Sequence, residues 1–257
     1  METDHEISTR ISERFDVLRL LTQGSIDGKA KSLIVTGPPG LGKSHQVETM
    51  FQVHDPKGHN HMIVKGFIRA TGLYKLLYDH KEVGQTIIFD DADSVFFDET
   101  CLSLLKAVCD TTDIRTVSWR TEGRLLSEDG TTQLPKCFDF NGTIIFISNI
   151  DFDAKIEKGD KLAPHLEALI SRSHFIDLGM KNRREYMIRI KQVLSQGLLD
   201  KKGLDEIGKE EVIAFIEENS SNFRELSLRT ALKIADLYKP ASDHWRKVAK
   251  ITLCKNK

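Results

Sequence analysis

An apolar run, Leu33 to Thr36, passes directly into the eight residues G-P-P-G-L-G-K-S, Gly37 to Ser44, and a helical stretch begins at Lys43. No other feature of the chain restricts its fold as tightly. The spacing G-x-x-x-x-G-K-[ST], after a strand and at the head of a helix, is that of a loop whose backbone cradles phosphate. Gly37, Gly40 and Gly42 permit conformations that aim successive N–H groups at phosphate oxygens, and the helix adds the positive end of its dipole. Lys43 offers a point charge for the β and γ phosphates, and Ser44 a hydroxyl for Mg²⁺. The expected nucleotide cradle is therefore Gly37, Pro38, Pro39, Gly40, Leu41, Gly42, Lys43, Ser44 and His45, with ATP and Mg²⁺ as cofactors. A chance match to this pattern would arise about once in a hundred chains of such composition, so a bare glycine turn is the weaker reading.

The rest of the chain suits a sheet built around this loop. Short apolar runs at Leu33–Thr36, Met62–Val64, Thr86–Phe89, Ile144–Ser148 and His174–Ile176 predict strands of a parallel sheet buried on both faces. Between them, 43–53, 73–80, 100–109 and 162–170 read as helices. Ile11, Phe15, Leu18 and Leu21 recur at helical spacing and predict a leading helix, with a turn-rich linker from Gly24 to Lys31. Beyond Lys181 the strand signal stops, while apolar residues continue at helical spacing through Met187, Ile190, Val212, Phe215, Leu226 and Leu232. Pro240 should end the last long helix. The expected organisation is an N-terminal helix and linker at 1–30, an α/β nucleotide-binding domain at 31–179, a helical lid at 180–240, and a basic C-terminal tail of uncertain order at 241–257.

Composition narrows the setting. With 257 residues and 40% hydrophobic content, one sizeable α/β core and a smaller unit can form. Lys and Arg number 37 against 38 Asp and Glu, so nucleic acid or an anionic membrane exerts no bulk attraction. Cys101, Cys109, Cys137 and Cys254 include no C-x-x-C pair, which argues for reduced thiols rather than a zinc or disulfide framework. Neither a signal-like apolar N-terminus nor a run of bilayer-spanning length is present. A soluble, cytoplasmic protein without membrane attachment is expected.

In T-I-I-F-D-D-A-D an apolar strand leads into acid. Asp90 at the strand end can enter the Mg²⁺ shell, and Asp91 has the place of the residue that polarises the attacking water. Asp93 reads as a helix or turn cap, with the metal shell as its alternative. On these two elements, and on three later ones, the chain resembles the AAA+ ATPases. I-I-F-I-S-N ends in Asn149, like the family's sensor-1 residue. A-L-I-S-R-S-H-F places Arg172 before a strand, like the arginine finger that reaches the γ-phosphate of a neighbouring subunit. N-F-R-E-L-S-L-R places Arg224 at the start of a lid helix, like the sensor-2 arginine, with Arg229 as runner-up. Arg120 and Arg124 are lesser candidates for a trans-acting arginine. Taken singly, Asn149 could be a cap, Arg172 a surface charge and Arg224 a salt-bridging residue; their order favours the functional reading of all three. The family usually has Glu where this chain has Asp91, and the shorter side chain would slow hydrolysis.

The resemblance covers roughly residues 10–240 and implies a P-loop AAA+ α/β fold: a parallel five-stranded sheet flanked by helices, then a small all-helical lid. It also implies ATP hydrolysis and a homo-oligomer, hexameric by analogy, with catalytic residues Lys43, Asp90, Asp91, Asn149, Arg172 and Arg224 and metal-binding Ser44 and Asp90. The pattern is similar to small AAA+ ATPases of tailed bacteriophages, which would place the chain in a host cytoplasm.

Two segments offer places to engage a macromolecule. From Arg115 to Gly142, glycines at 123 and 130 and the alternation of Phe138 and Phe140 predict two strands joined by a loop. That loop carries Arg120, Arg124 and Lys136 near Trp119, suited to nucleic-acid backbone and stacking; a core Trp119 under a solvated flap has at least equal weight. K-G-F-I-R-A-T-G-L-Y, Lys65 to Tyr74, lies where many AAA+ rings place pore loops, although helix packing of Phe67 and Tyr74 is slightly favoured. His54, His59 and His61 suggest metal less than they suggest a surface loop. DNA in replication, recombination or repair is the first expectation for the substrate and a polypeptide partner the second. A small-molecule kinase would share the phosphate loop but need none of the three later residues.

Overall fold

The computed structural model describes residues 2–121, 123–127, 130–240, 242 and 244–255. The chain forms two compact units, one of residues 15–37 and 43–178, the other of 1–14, 38–42 and 179–257.

The larger unit is a five-stranded parallel sheet. In chain order the strands are β1 (Ser32–Thr36), β2 (His61–Lys65), β3 (Thr86–Asp90), β6 (Thr143–Ile147) and β7 (His174–Asp177), arranged β2-β3-β6-β1-β7. Every residue of β1, β3 and β6 is buried, as their unbroken apolar runs require, whereas the edge strands β2 and β7 are partly exposed. Phe89 of β3 stacks on Phe146 of β6 at 5.3 Å, and Phe96 packs on the same ring at 5.4 Å. Helices α2 (Lys43–His54), α3 (Ala70–Asp79), α4 (Glu99–Val108), α5 (Phe152–Glu157) and α6 (Ala163–Ile170) join the strands. Register aligns Val35 with Ile147 and Asp90 with both Ile147 and Lys65, so the carboxyl ends of β1, β2, β3 and β6 lie side by side.

A small antiparallel pair, β4 (Thr116–Ser118) and β5 (Cys137–Asp139), sets Val117 opposite Phe138, and a bridge joins Leu126 to Gln133. The two strands joined by a loop are thus present, with residues 122, 128 and 129 outside the described set. Trp119 is half-buried, its ring 5.6 Å from that of Tyr74, so it belongs largely to the core. Buried Arg115 fastens the base of this hairpin. Its guanidinium donates to the carbonyls of Val108 (2.8 Å) and Gly142 (2.7 Å) and lies over Phe140, and burial lowers its pKa. Arg115→Met keeps much of the bulk but strands two buried carbonyls. We expect a loss of about 2 kcal/mol, or a Tm lower by roughly 4–8 °C; an unchanged melting curve would show that the carbonyls find other partners.

Helix α1 (Asp4–Ile26) is longer than its sequence signal indicated and absorbs the first residues of the expected linker. Ile11, Phe15 and Leu18 are buried as expected, but the stripe continues through Thr22 and Ser25 rather than Leu21. Their hydroxyls are satisfied by the carbonyls one turn back, Leu18 and Leu21, which lets polar residues occupy the inner face.

In the smaller unit, α7 (Arg183–Ser195), α8 (Glu206–Asn219), α9 (Leu228–Leu237) and α10 (His244–Leu253) surround a core that includes Ile190, Val212, Phe215, Phe223, Ile234 and Trp245. Within the expected basic tail at 241–257, α10 occupies His244–Leu253, with 241, 243, 256 and 257 outside the described residues. Trp245 and Ala249, one turn apart, face inward, and Trp245 meets Phe215 at 5.1 Å and Tyr238 at 5.4 Å. The run of basic residues masked this short apolar stripe.

Candidate nucleotide site

The larger unit brings five of the expected residues together at the carboxyl ends of its central strands. Lys43, only 5% exposed, donates from Nζ to the Gly37 carbonyl (2.6 Å) and to Asn149 Oδ1 (2.9 Å). Asn149 Nδ2 in turn donates to Asp91 Oδ1 at 2.6 Å. One amide therefore links the lysine of the phosphate loop to the second acid after β3. Ser44 donates from Oγ to Asp90 Oδ1 at 2.6 Å, and Asp90 is 3% exposed.

Asp91 is the one described non-glycine residue with positive φ, at 54°. Asp tolerates this left-handed region better than longer side chains do. Its N–H donates to the Ile147 carbonyl at 3.1 Å, pinning the strained residue against β6. Asp93 opens the short 3-10 turn after β3 without capping it. Its carboxyl oxygen Oδ1 is buried without a hydrogen-bond partner among the described residues, and burial, reinforced by the Asp91 charge, raises its pKa.

Lys65 ends β2 beside Asp90, with Nζ 3.0 Å from Asp90 Oδ2 and 2.6 Å from Glu48 Oε1. Lys65 also opens the expected polymer-contacting segment, but register puts it on the acid. Phe67, two residues on, is 74% exposed, so helix packing holds for Tyr74 but not for Phe67. The chain leaves β2 through Gly66 at φ 90°, and α3 starts only at Ala70.

Arg172 stands apart from the five-residue cluster. Its Nη1 donates to the Ala168 carbonyl at 2.7 Å, and its Nε lies 3.9 Å from Asp110. In the helical unit Arg224 precedes α9 instead of starting it, because Ser227 caps the helix by accepting from the Thr230 N–H. Arg224 Nε donates to the Cys254 carbonyl at 2.9 Å, and Arg229, exposed, lies in the first turn of α9. Pro38 to Gly42 cluster with this helical unit. Gly40 is at φ 75°, and a Cβ there would come within 2.5 Å of the Ser227 Cβ, so only glycine fits. His45 is exposed on α2. Arg120, Arg124 and Lys136 are exposed on the hairpin.

His61 Nδ1 lies 3.0 Å from Asp55, whose carboxyl the Asn60 N–H and His61 hold down at about 2. Among the described residues no group of three or more His, Cys, Asp or Glu could hold a metal, and no helix is long and apolar enough to cross a membrane.

No family model matches the chain. An uncharacterised 36.7 kDa protein of enterobacteria phage T4 is 36% identical over 250 residues, spanning 96% of this chain and 76% of the phage protein. Among solved structures, a point mutant of Thermotoga maritima RuvB superposes with a TM-score of 0.51 at 12% identity, over 95% of this chain and 69% of that one. A second RuvB point mutant gives a TM-score of 0.49 at 14% identity, over 95% and 68%. The five-stranded parallel sheet, the loop between β1 and α2 and the helical C-terminal unit are those of the AAA+ P-loop ATPase fold, and by sequence the chain belongs to the family of the phage T4 protein.

Proposed function

We propose that this chain binds and hydrolyses Mg-ATP in an oligomeric ring, hexameric by family analogy, and uses the cycle to remodel or translocate DNA in the cytoplasm of a phage host. The observation that carries the ATPase reading is the chain of contacts from Lys43 through Asn149 to Asp91, beside the Ser44–Asp90 pair. A lysine for β and γ phosphate oxygens and a carboxylate for a nucleophilic water are thereby held by one amide, which can respond to either end. The donor set fits Mg²⁺: a hydroxyl and a buried carboxylate 2.6 Å apart are hard oxygen ligands for a small divalent cation. Ser44 and Asp90 would hold it, and the ion would neutralise charge on the phosphates. Lys65, already on Asp90, steadies that carboxylate.

For the substrate, exposed Arg120, Arg124 and Lys136 on the hairpin favour a nucleic-acid backbone. Trp119 contributes little stacking, because its ring packs against Tyr74. A polypeptide substrate is the second reading, favoured by exposed Phe67 in the loop after β2. Steady-state ATP hydrolysis with and without single- and double-stranded DNA, across protein concentrations, tests both. Stimulation by DNA supports the first reading, and indifference to DNA moves the weight to protein. Lys43→Ala is expected to abolish measurable ATP binding, and a variant that binds like the wild type would remove Lys43 from the cradle.

A further inference from the structure

The helical unit holds the phosphate loop by its carbonyls. Leu228 is the first residue of α9, so its N–H is one of those a helix cannot satisfy internally. It donates to the Gly40 carbonyl at 2.9 Å. One residue further along the loop, Arg189 of α7 donates from Nε to the Leu41 carbonyl at a long 3.4 Å. Arg189 is only 7% exposed, on a helix whose other buried positions include Ile190 and Leu194. A Cβ on Gly42 would meet Leu228 Cδ1 at 3.3 Å and Arg189 Nη2 at 3.8 Å, so the same two residues line the loop on that side.

A trans peptide is planar, with its C=O and N–H pointing in opposite directions. Fastening the Gly40 carbonyl therefore fixes the direction of the Leu41 N–H, and fastening the Leu41 carbonyl fixes that of the Gly42 N–H. Both N–H groups then face away from α7 and α9. We infer that Arg189 and the backbone N–H of Leu228 are positioning groups for nucleotide binding: they pre-set two successive peptide planes of the phosphate loop so that the Leu41 and Gly42 N–H groups converge on the polyphosphate. The inference rests on the reading that this loop holds a nucleotide. Burial pulls the Arg189 guanidinium down to about 10, still far enough above neutrality to keep it charged and donating.

Leu228→Pro isolates the first of these bonds. Proline is tolerated at the first position of a helix, and the residue before it prefers extended backbone, which Ser227 already has at φ −153° and ψ 170°. The substitution deletes the N–H while costing the helix little; Leu228→Ala is its control, since it trims the side chain and keeps the N–H. Calorimetric titration of full-length protein with ATP and with ADP is the measurement, with thermal unfolding recorded in parallel. We expect Leu228→Pro to bind both nucleotides about fivefold more weakly than Leu228→Ala, and Arg189→Met to bind both about tenfold more weakly than wild type, with Arg189→Lys recovering part of the loss. Equal losses for ATP and ADP are the signature, because the oriented N–H groups serve phosphates common to both. A loss confined to ATP would overturn the inference by making Arg189 a γ-phosphate ligand. Unchanged affinities with a lowered Tm would overturn it by reducing these groups to packing. Absence of nucleotide binding by the wild type would sink the reading of the loop itself, a result distinct from wild-type binding that the variants leave intact.

Discussion

Arg172→Ala is expected to lower ATP turnover by about 10³–10⁵-fold, the range an arginine finger commands, while leaving ATP affinity within about twofold. The geometry behind this expectation is its separation from the cluster: Arg172 makes its contacts with Ala168 and Asp110, and Lys43, Asn149 and Asp91 are joined without it. On the proposed reading, a cation so placed would serve the nucleotide of another copy. The decisive measurement mixes two inactive variants, Arg172→Ala and Lys43→Ala. Each supplies what the other lacks, so phosphate release should reappear in the mixture at sites that pair an intact Lys43 with an intact Arg172. A silent mixture, or normal turnover by Arg172→Ala alone, would remove it from this role. Because Arg172 also binds the carbonyl of Ala168 in the last turn of α6, thermal unfolding of the variant must accompany the assay.

Asp91→Asn is expected to cost about 10²–10⁴ in turnover, the usual worth of a positioned general base, with ATP affinity nearly unchanged. Asparagine keeps the shape and the tolerance of left-handed backbone but cannot take a proton. Asp91→Gly separates chemistry from strain: it should be as inactive, yet more stable by about 0.5–1 kcal/mol, because glycine adopts φ 54° without penalty. Asp91→Glu tests the departure from the resembling family. It brings the carboxylate closer to the water at the expense of greater backbone strain, so faster turnover with a lower melting temperature is expected. Full activity in Asp91→Asn would exclude Asp91 as the base.

Much of this was legible in sequence because it is local. The phosphate loop is written in eight consecutive residues, and the apolar runs that become β1, β3 and β6 are uninterrupted because both faces of those strands are covered. Asp90 and Asn149 could be placed because each lies at or just beyond a strand end. Strand and helix periodicity, glycine spacing and acids at strand termini thus determined the fold class and pointed to the five residues that cluster. Tertiary structure decided what depends on which elements become neighbours. Register between β2 and β3 put Lys65 on Asp90; a cap at Ser227 moved the start of α9 past Arg224; the turn at Gly66 turned Phe67 to solvent; and packing against Phe215 drew Trp245 of a basic tail into a core. Arg189 could have been noticed, since Glu185 and Arg189 are charged residues one turn apart on the inner face of α7, but its partner, the carbonyl of Leu41, is backbone and leaves no mark in the sequence.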